Sequence, residues 1–276
     1  MENTTKHALI SGGTAGVGLS IVKALAAQNY KIIFIGQNLE KGNSIASELN
    51  ANSNQTHTFV KLDLSDLKAV KAFTQSVLES HSSLDLLVNV AGIISPKQQL
   101  TSTGLDKTFA IGYLSTYILS TELIPLLKNG NQSRIVNVGG GLNIINTSKI
   151  DFENLNFTKN YSGLRTAFAT IHAKTVLTQI LAEKLINDNI DVNSFHPGSV
   201  KSDLTRNMPK ILQFLAKIAA VVMAKESTNG IFVCSDESIT GVSGKLFINK
   251  KPKNLKFDFN YREKLWKATE EIIDSI

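Results

Sequence analysis

The chain has 276 residues, enough for one large domain or two small ones. Apolar residues make up 42% and charged residues 19%, a balance that excludes a disordered or collagen-like chain. The net charge of +6 is modest, and the lysines are densest at Lys250, Lys251, Lys253 and Lys256, which read as a solvated loop rather than a nucleic-acid patch. A single cysteine, Cys234, excludes a disulfide scaffold and any zinc site built from several thiolates, and five scattered histidines show no metal-ligand spacing. No basic, then apolar, then cleavable pattern opens the chain, so no secretory signal is read. The longest apolar run, Ile211 to Ala224, is broken by Gln213 and Lys217 and is too short to span a bilayer. A soluble cytoplasmic protein is expected.

In chain order, short apolar runs begin at His7-Ile10, Lys31-Ile35, His57-Val60 and Leu84-Val90. They continue at Arg134-Val138, Ile190-Phe195 and Lys245-Ile248. Most are separated by segments with apolar residues at helical spacing, such as Ile21 and Leu25, then Ile45 and Leu49. Strand alternating with helix over about seven strands implies crossovers, hence a doubly wound parallel α/β sheet with helices on both faces. Near-continuous strands such as Leu86-Leu87-Val88 agree, because both faces of a parallel strand are buried. No linker divides the chain, so one domain over 1–276 is expected, with halves at 1–150 and 151–276.

The first strand runs into Ser11-Gly12-Gly13-Thr14-Ala15-Gly16-Val17-Gly18, where a helix is expected to begin. A glycine turn there lets the backbone approach a pyrophosphate, whose charge the helix N-terminal amides favour. The spacing Gly12-x3-Gly16-x-Gly18 resembles that of the short-chain dehydrogenase/reductase superfamily. Asp63-Leu64, Asn89-Val90-Ala91-Gly92 and His196-Pro197-Gly198 follow in the order of that superfamily's further motifs, the second with one substitution. Residues Asp151 to Asn156, Thr178 to Ala182 and Gly241 to Lys245 resemble its retinol-dehydrogenase-like branch. The resemblance spans essentially the whole chain.

It implies a cofactor side formed by Gly12, Thr14, Gly16, Val17, Gly18, Gln37, Asp63, Leu64, Asn89, Ala91, Gly92, Pro197 and Gly198. The second strand ends at Gly36-Gln37 without the acid that holds the ribose of NAD, and without a nearby arginine. The expectation leans to NADP over NAD by that absence alone, and a chain that binds neither stays open. The resemblance also implies a homo-dimer or tetramer, and a substrate-covering helix near 203–224.

Members of the superfamily handle protons with an asparagine, a serine, a tyrosine and a lysine. Counting back from Pro197 puts the tyrosine position at Ala167 and the lysine position at Ile171. The serine position falls on Gly140, within Gly139-Gly140-Gly141, and the asparagine position on Gly112. None of these side chains moves a proton. Neighbours that could substitute are Tyr113, Tyr161 with Arg165, Lys174 and Asn143. Tyr113 is expected to be a core aromatic, Asn143 a loop residue, and Lys174 exposed or bonded to a partner; His172 should face elsewhere.

Glycines at 112, 139, 140 and 141 also remove volume, so a pocket enlarged at its floor and suited to a bulky apolar ligand is expected. Three functions stay open. One is a non-redox enzyme acting on an apolar small molecule by elimination, isomerisation or cyclisation. Another is a non-catalytic dinucleotide- or partner-binding protein, and the last an NADP-dependent oxidoreductase with an atypical acid.

Overall fold

The computed structural model describes residues 5–198 and 226–276. The apolar segment Ile211 to Ala224 and the expected covering helix lie outside the described residues.

The order of elements is β1 (His7–Ser11), α1 (Gly16–Ala27), β2 (Lys31–Gly36), α2 (Leu39–Ala51), β3 (Thr58–Lys61), α3 (Leu67–Ser80) and β4 (Leu86–Asn89). There follow α4 (Lys107–Phe109), a π-helical turn (Ala110–Leu114), α5 (Ser115–Glu122), α6 (Ile124–Lys128), β5 (Ser133–Val138) and α7 (Leu142–Thr147). The remainder is α8 (Gly163–Lys184), β6 (Ile190–Phe195), α9 (Thr228–Ser235), β7 (Leu246–Ile248), β8 (Lys251–Lys253) and α10 (Phe259–Asp274). Short 3₁₀ turns lie at Phe152–Asn154 and Glu237–Ile239.

The described strands form one sheet in the order β3-β2-β1-β4-β5-β6-β7-β8. Alternate strand residues feed two cores. Leu9, Leu87, Ile135 and Val192 pack with α3, α5 and α8 on one face. Ile10, Phe34, Val88 and Phe195 pack with α1, α2 and α9 on the other. Burial on both faces explains why these strands carry few polar residues.

The sheet has eight strands where about seven were expected. Lys251–Lys253 pairs antiparallel with β7, and all three of its residues are exposed. The lysines are therefore exposed as expected, but Lys251 and Lys253 form an edge strand rather than a loop. Asn249 and Lys250 have φ of 51° and 63°, the left-handed pair that a two-residue hairpin requires. The Lys250 amide also donates to Asn229 Oδ1 at 2.7 Å, which anchors the turn.

Strand order reverses direction between β1 and β4, the neighbours at the centre of the sheet. Connections leave to opposite sides there, and a crevice opens at the carboxyl ends of the strands.

Candidate functional site

A cavity of about 640 Å³ occupies that crevice. Its floor is the loop from Gly12 to α1, and its sides are the ends of β2, β3 and β4. The far wall is the face of α8 that carries Ala167, Ile171 and Lys174, with Val138, Gly139, Pro197 and Gly198 below it.

Close approach dictates the glycine loop. A Cβ on Gly18 would lie 2.2 Å from the Gly12 carbonyl oxygen, so only glycine lets the first turn of α1 close on the loop. Gly12 itself has φ of +74° and meets the Ala91 backbone at β4. The residue preceding α1, Ala15, provides no side-chain cap, and no acid stands in the helix's first turn. The amides at this end therefore point their partial positive charge toward the cavity, where Gly16 and Val17 line the wall.

At the opposite rim Gln37, Asn38 and Lys41 line the cavity. Asn38 caps α2 by accepting from the Lys41 amide at 2.8 Å. Gln37 Nε2 donates to Asp63 Oδ1 at 3.0 Å. Burial pushes the Asp63 carboxyl up, but hydrogen bonds from the Ser65 amide and hydroxyl and from Gln37 outweigh it, leaving it lower than usual.

The family model described as short chain dehydrogenase matches residues 6–212. The chain belongs to this family.

Among its relatives, retinol dehydrogenase 12 of Mus musculus is 28% identical, over 97% of this chain and 86% of its own. The short-chain dehydrogenase TIC 32 B, chloroplastic, of Brassica napus is 28% identical over 98% of this chain and 90% of its own. The fold is similar to that of a short chain dehydrogenase from Burkholderia cenocepacia in complex with NADP. That structure has a TM-score of 0.68 at 24% identity, over 88% of this chain and 95% of the other. An uncharacterized protein from Mycobacterium paratuberculosis gives a TM-score of 0.73 at 20% identity, over 98% and 93%.

Within this short chain dehydrogenase fold, Gly12, Thr14, Gly16, Val17, Gln37, Leu64, Ala91, Gly92, Pro197 and Gly198 all line the cavity. The other three expected cofactor-side residues sit behind it. Gly18 closes α1 onto the loop, and Asp63 orients Gln37. Asn89 lies inside the sheet, where its Nδ2 donates to Asn137 Oδ1 at 2.9 Å and to Ser120 Oγ at 3.0 Å.

Gly112, Ala167 and Ile171 line one end of the cavity, and Gly140 packs directly behind Ile171. Side chains approach these glycines closely. A Cβ on Gly112 would meet Thr170 Cγ2 at 2.5 Å, and one on Gly140 would meet Ile171 Cγ2 at 3.0 Å. Leu246 Cδ1 stands 3.2 Å from the same point on Gly139. Neighbouring side chains thus stand close beside Gly112, Gly139 and Gly140, while Gly112 and Gly139 line the cavity. Gly112 lies inside the π-helical turn, a local widening of the hydrogen-bond ladder that recurs at functional sites.

Substitution at that point is therefore costly. Gly112→Asn should lower stability by roughly 1–3 kcal/mol through overpacking, because the β-branched Thr170 cannot swing its methyl aside freely. Adding Thr170→Ser, which removes only that methyl, should restore more than half of the loss. Urea unfolding of the single and double variants measures it. Strictly additive effects would show that the two residues do not compete for space.

The possible substitutes separate clearly. Tyr113 is buried in the core, stacked on Phe109, with its hydroxyl 2.8 Å from Thr269 Oγ1. Tyr161 precedes α8 instead of lying on it and donates to the Ser95 carbonyl at 2.9 Å, so Tyr161 and Arg165 do not share a helix face. Asn143 is exposed and does not line the cavity. His172 points away, its Nδ1 2.6 Å from the Ile145 carbonyl and its ring edge-on to Phe257 and Tyr261.

Lys174 is the exception. It lies on the cavity-facing stripe of α8 and is fully buried, and among the described residues its Nζ bonds only the Ala91 carbonyl, at 3.2 Å. Burial pushes its amine down to about 7. The helical offset of three from Ile171 predicts its face, but nothing local predicts its burial.

Sequence reasoning missed Phe168, Thr170, Ile111 and Thr108, which also line this end. The α8 residues repeat at helical spacing from Ala167, a signal that could have named them. Ile111 reaches the wall through the packing of α8 against the π-helical turn, and Thr108 through the packing of α8 against α4.

Among the described residues no cluster of metal-binding side chains occurs, and no helix is long and apolar enough to cross a membrane.

Proposed function

We propose that this protein binds a nicotinamide dinucleotide in the cavity, NADP in preference to NAD, and does not reduce carbonyls by its family's usual proton relay. In this reading Gly112, Gly140, Ala167 and Ile171 occupy the positions of that relay. The observation that carries it is their convergence: of four residues chosen by counting along the chain, Gly112, Ala167 and Ile171 line one end of one cavity, and Gly140 packs directly behind Ile171. That convergence supports the register, and within it no side chain of the four can donate a proton.

The residues present fit a dinucleotide. The Gly12–Gly18 cradle excludes any Cβ at its closest point, and the uncapped amides of α1 suit a pyrophosphate. Gln37 and Lys41 at the rim, with no acid among the described residues of the wall there, favour a ribose bearing a phosphate over a bare diol. When bound, the dinucleotide would supply a hydride donor or acceptor at its nicotinamide ring. Ile171, Ala167 and Phe168 would exclude water from the end of the cavity without offering an acid.

A calorimetric titration with NADPH, NADH and their oxidised forms tests the reading. Micromolar NADPH binding and weaker NADH binding are expected, with no NADPH consumption across a broad panel of aldehydes and ketones. Carbonyl reduction should need the combined change Gly112→Asn, Gly140→Ser, Ala167→Tyr and Ile171→Lys, with Thr170→Ser to make room. Wild-type turnover at rates usual for such enzymes would overturn the proposal, as would failure to bind any dinucleotide at millimolar concentration.

The apolar end of the cavity favours a second reading, a non-redox enzyme acting on an apolar small molecule. Phe168, Ile111, Ile171 and Val138 form that end, and Lys174 is its one amine among the described residues.

A further inference from the structure

Lys174 has no structural explanation in ion pairing. A lysine this deeply buried ordinarily faces a carboxylate, because an ammonium without a partner is expensive in an apolar setting. Here no carboxylate accompanies it among the described residues, and a single backbone carbonyl accepts one of its possible hydrogen bonds. The cause of its lowered proton affinity is burial alone, with no neighbouring charge contributing. Such an amine spends much of its time neutral near pH 7, with a free electron pair. It sits on the wall of a cavity whose adjoining side chains are Ile171, Thr170 and Ala91, and Phe168 lies about one and two-thirds turns away along the helix.

From this geometry we propose that Lys174 is a covalent capture site for apolar aldehydes, which enter the cavity end and form an imine with its Nζ. A neutral, desolvated primary amine is a nucleophile toward carbonyl carbon, whereas an exposed ammonium is not. The lone pair of Nζ attacks the carbonyl carbon to give a carbinolamine. The carbonyl oxygen then leaves as water, carrying both hydrogens of the amine, and a carbon–nitrogen double bond remains. No electrons are gained or lost, so no oxidant, reductant or dinucleotide is consumed. The apolar wall selects the chain of the aldehyde, and the amine selects its functional group. The inference goes beyond dinucleotide binding and does not depend on it.

Reductive trapping tests it directly. The full chain is incubated at pH 7 with octanal and cyanoborohydride, digested, and the alkylated lysines are counted by mass spectrometry. An ordinary lysine is neutral about 0.04% of the time at this pH, and one titrating near 7 about half the time. The peptide carrying Lys174 should therefore be alkylated on the order of 1000-fold faster than a peptide carrying an ordinary exposed lysine. The α-amino group, which also titrates near neutrality, is followed as a separate peptide. Lys174→Met should abolish the fast phase and keep the wild-type circular dichroism spectrum.

Alkylation of Lys174 no faster than that of exposed lysines, in folded wild-type protein, would overturn the proposal without recourse to any variant. So would a fast phase that persists in Lys174→Met. The dinucleotide titration is a separate measurement, so the two ideas fail separately. Selective alkylation without dinucleotide binding would sink only the dinucleotide reading; dinucleotide binding without selective alkylation would sink only this one.

Discussion

Replacing Lys174 with methionine should make the protein more stable at pH 7 and flatten its pH dependence between pH 7 and 9. The wild-type amine titrates near 10.5 when unfolded and near 7 when folded. Below pH 7 both states carry the proton, and the folded state bears the full cost of a buried charge. Between the two values the unfolded chain holds a proton that the folded chain has shed, so stability rises with pH, by about 1.4 kcal/mol per unit. Methionine fills a similar volume without a charge, so the variant should gain a few kcal/mol at pH 7, and the gain should shrink toward pH 9.

Urea unfolding of both proteins at pH 7, 8 and 9 reads the difference. The window lies above the histidine range; the difference between the two proteins cancels the buried tyrosines and Cys234, whose raised values act on stability at higher pH. A variant less stable than wild type at pH 7, or a parallel pair of curves, would show that Lys174 is charged and satisfied in the folded protein.

Gly18→Ala carries the second large effect. Its Cβ would stand 2.2 Å from the Gly12 oxygen and 2.8 Å from the Gly12 carbonyl carbon. Both obstacles are backbone, so no rotamer change relieves them, and the first turn of α1 must move away from the loop. A loss of about 3 kcal/mol is expected, which for a chain of this size lowers the melting temperature by roughly 6–12 °C. Because the same loop forms the cradle, NADPH affinity should fall at least about 100-fold even at temperatures where the variant is folded.

Gly92→Ala is the matched control. Gly92 lines the cavity, but a Cβ there meets nothing within 4 Å, so the variant's stability should stay within about 0.5 kcal/mol of wild type. A Gly18→Ala variant that melts and binds like Gly92→Ala would mean that the loop relaxes without cost.

The sequence by itself determined the alternation of strand and helix and the glycine turn into α1, and it is the basis of the proposed register of Gly112, Gly140, Ala167 and Ile171. Those features are written in local periodicity and in the order of short motifs, which need no knowledge of what lies across the fold. The hairpin at Asn249-Lys250 escaped that reading because a left-handed lysine has no sequence signature comparable to Asn-Gly.

Only the tertiary structure decided what fills the space beside the glycines. A glycine in a sequence signals either a void or a close approach, and the side chains that settle the matter, Thr170 and Ile171, come from a helix more than thirty residues away. It also decided the state of Lys174. Helical geometry predicts which way that residue points, but desolvation depends on how many layers of protein close over it. Here they are the end of β4 and the wall of the cavity, both distant in sequence and brought to α8 only by the closing of the sheet.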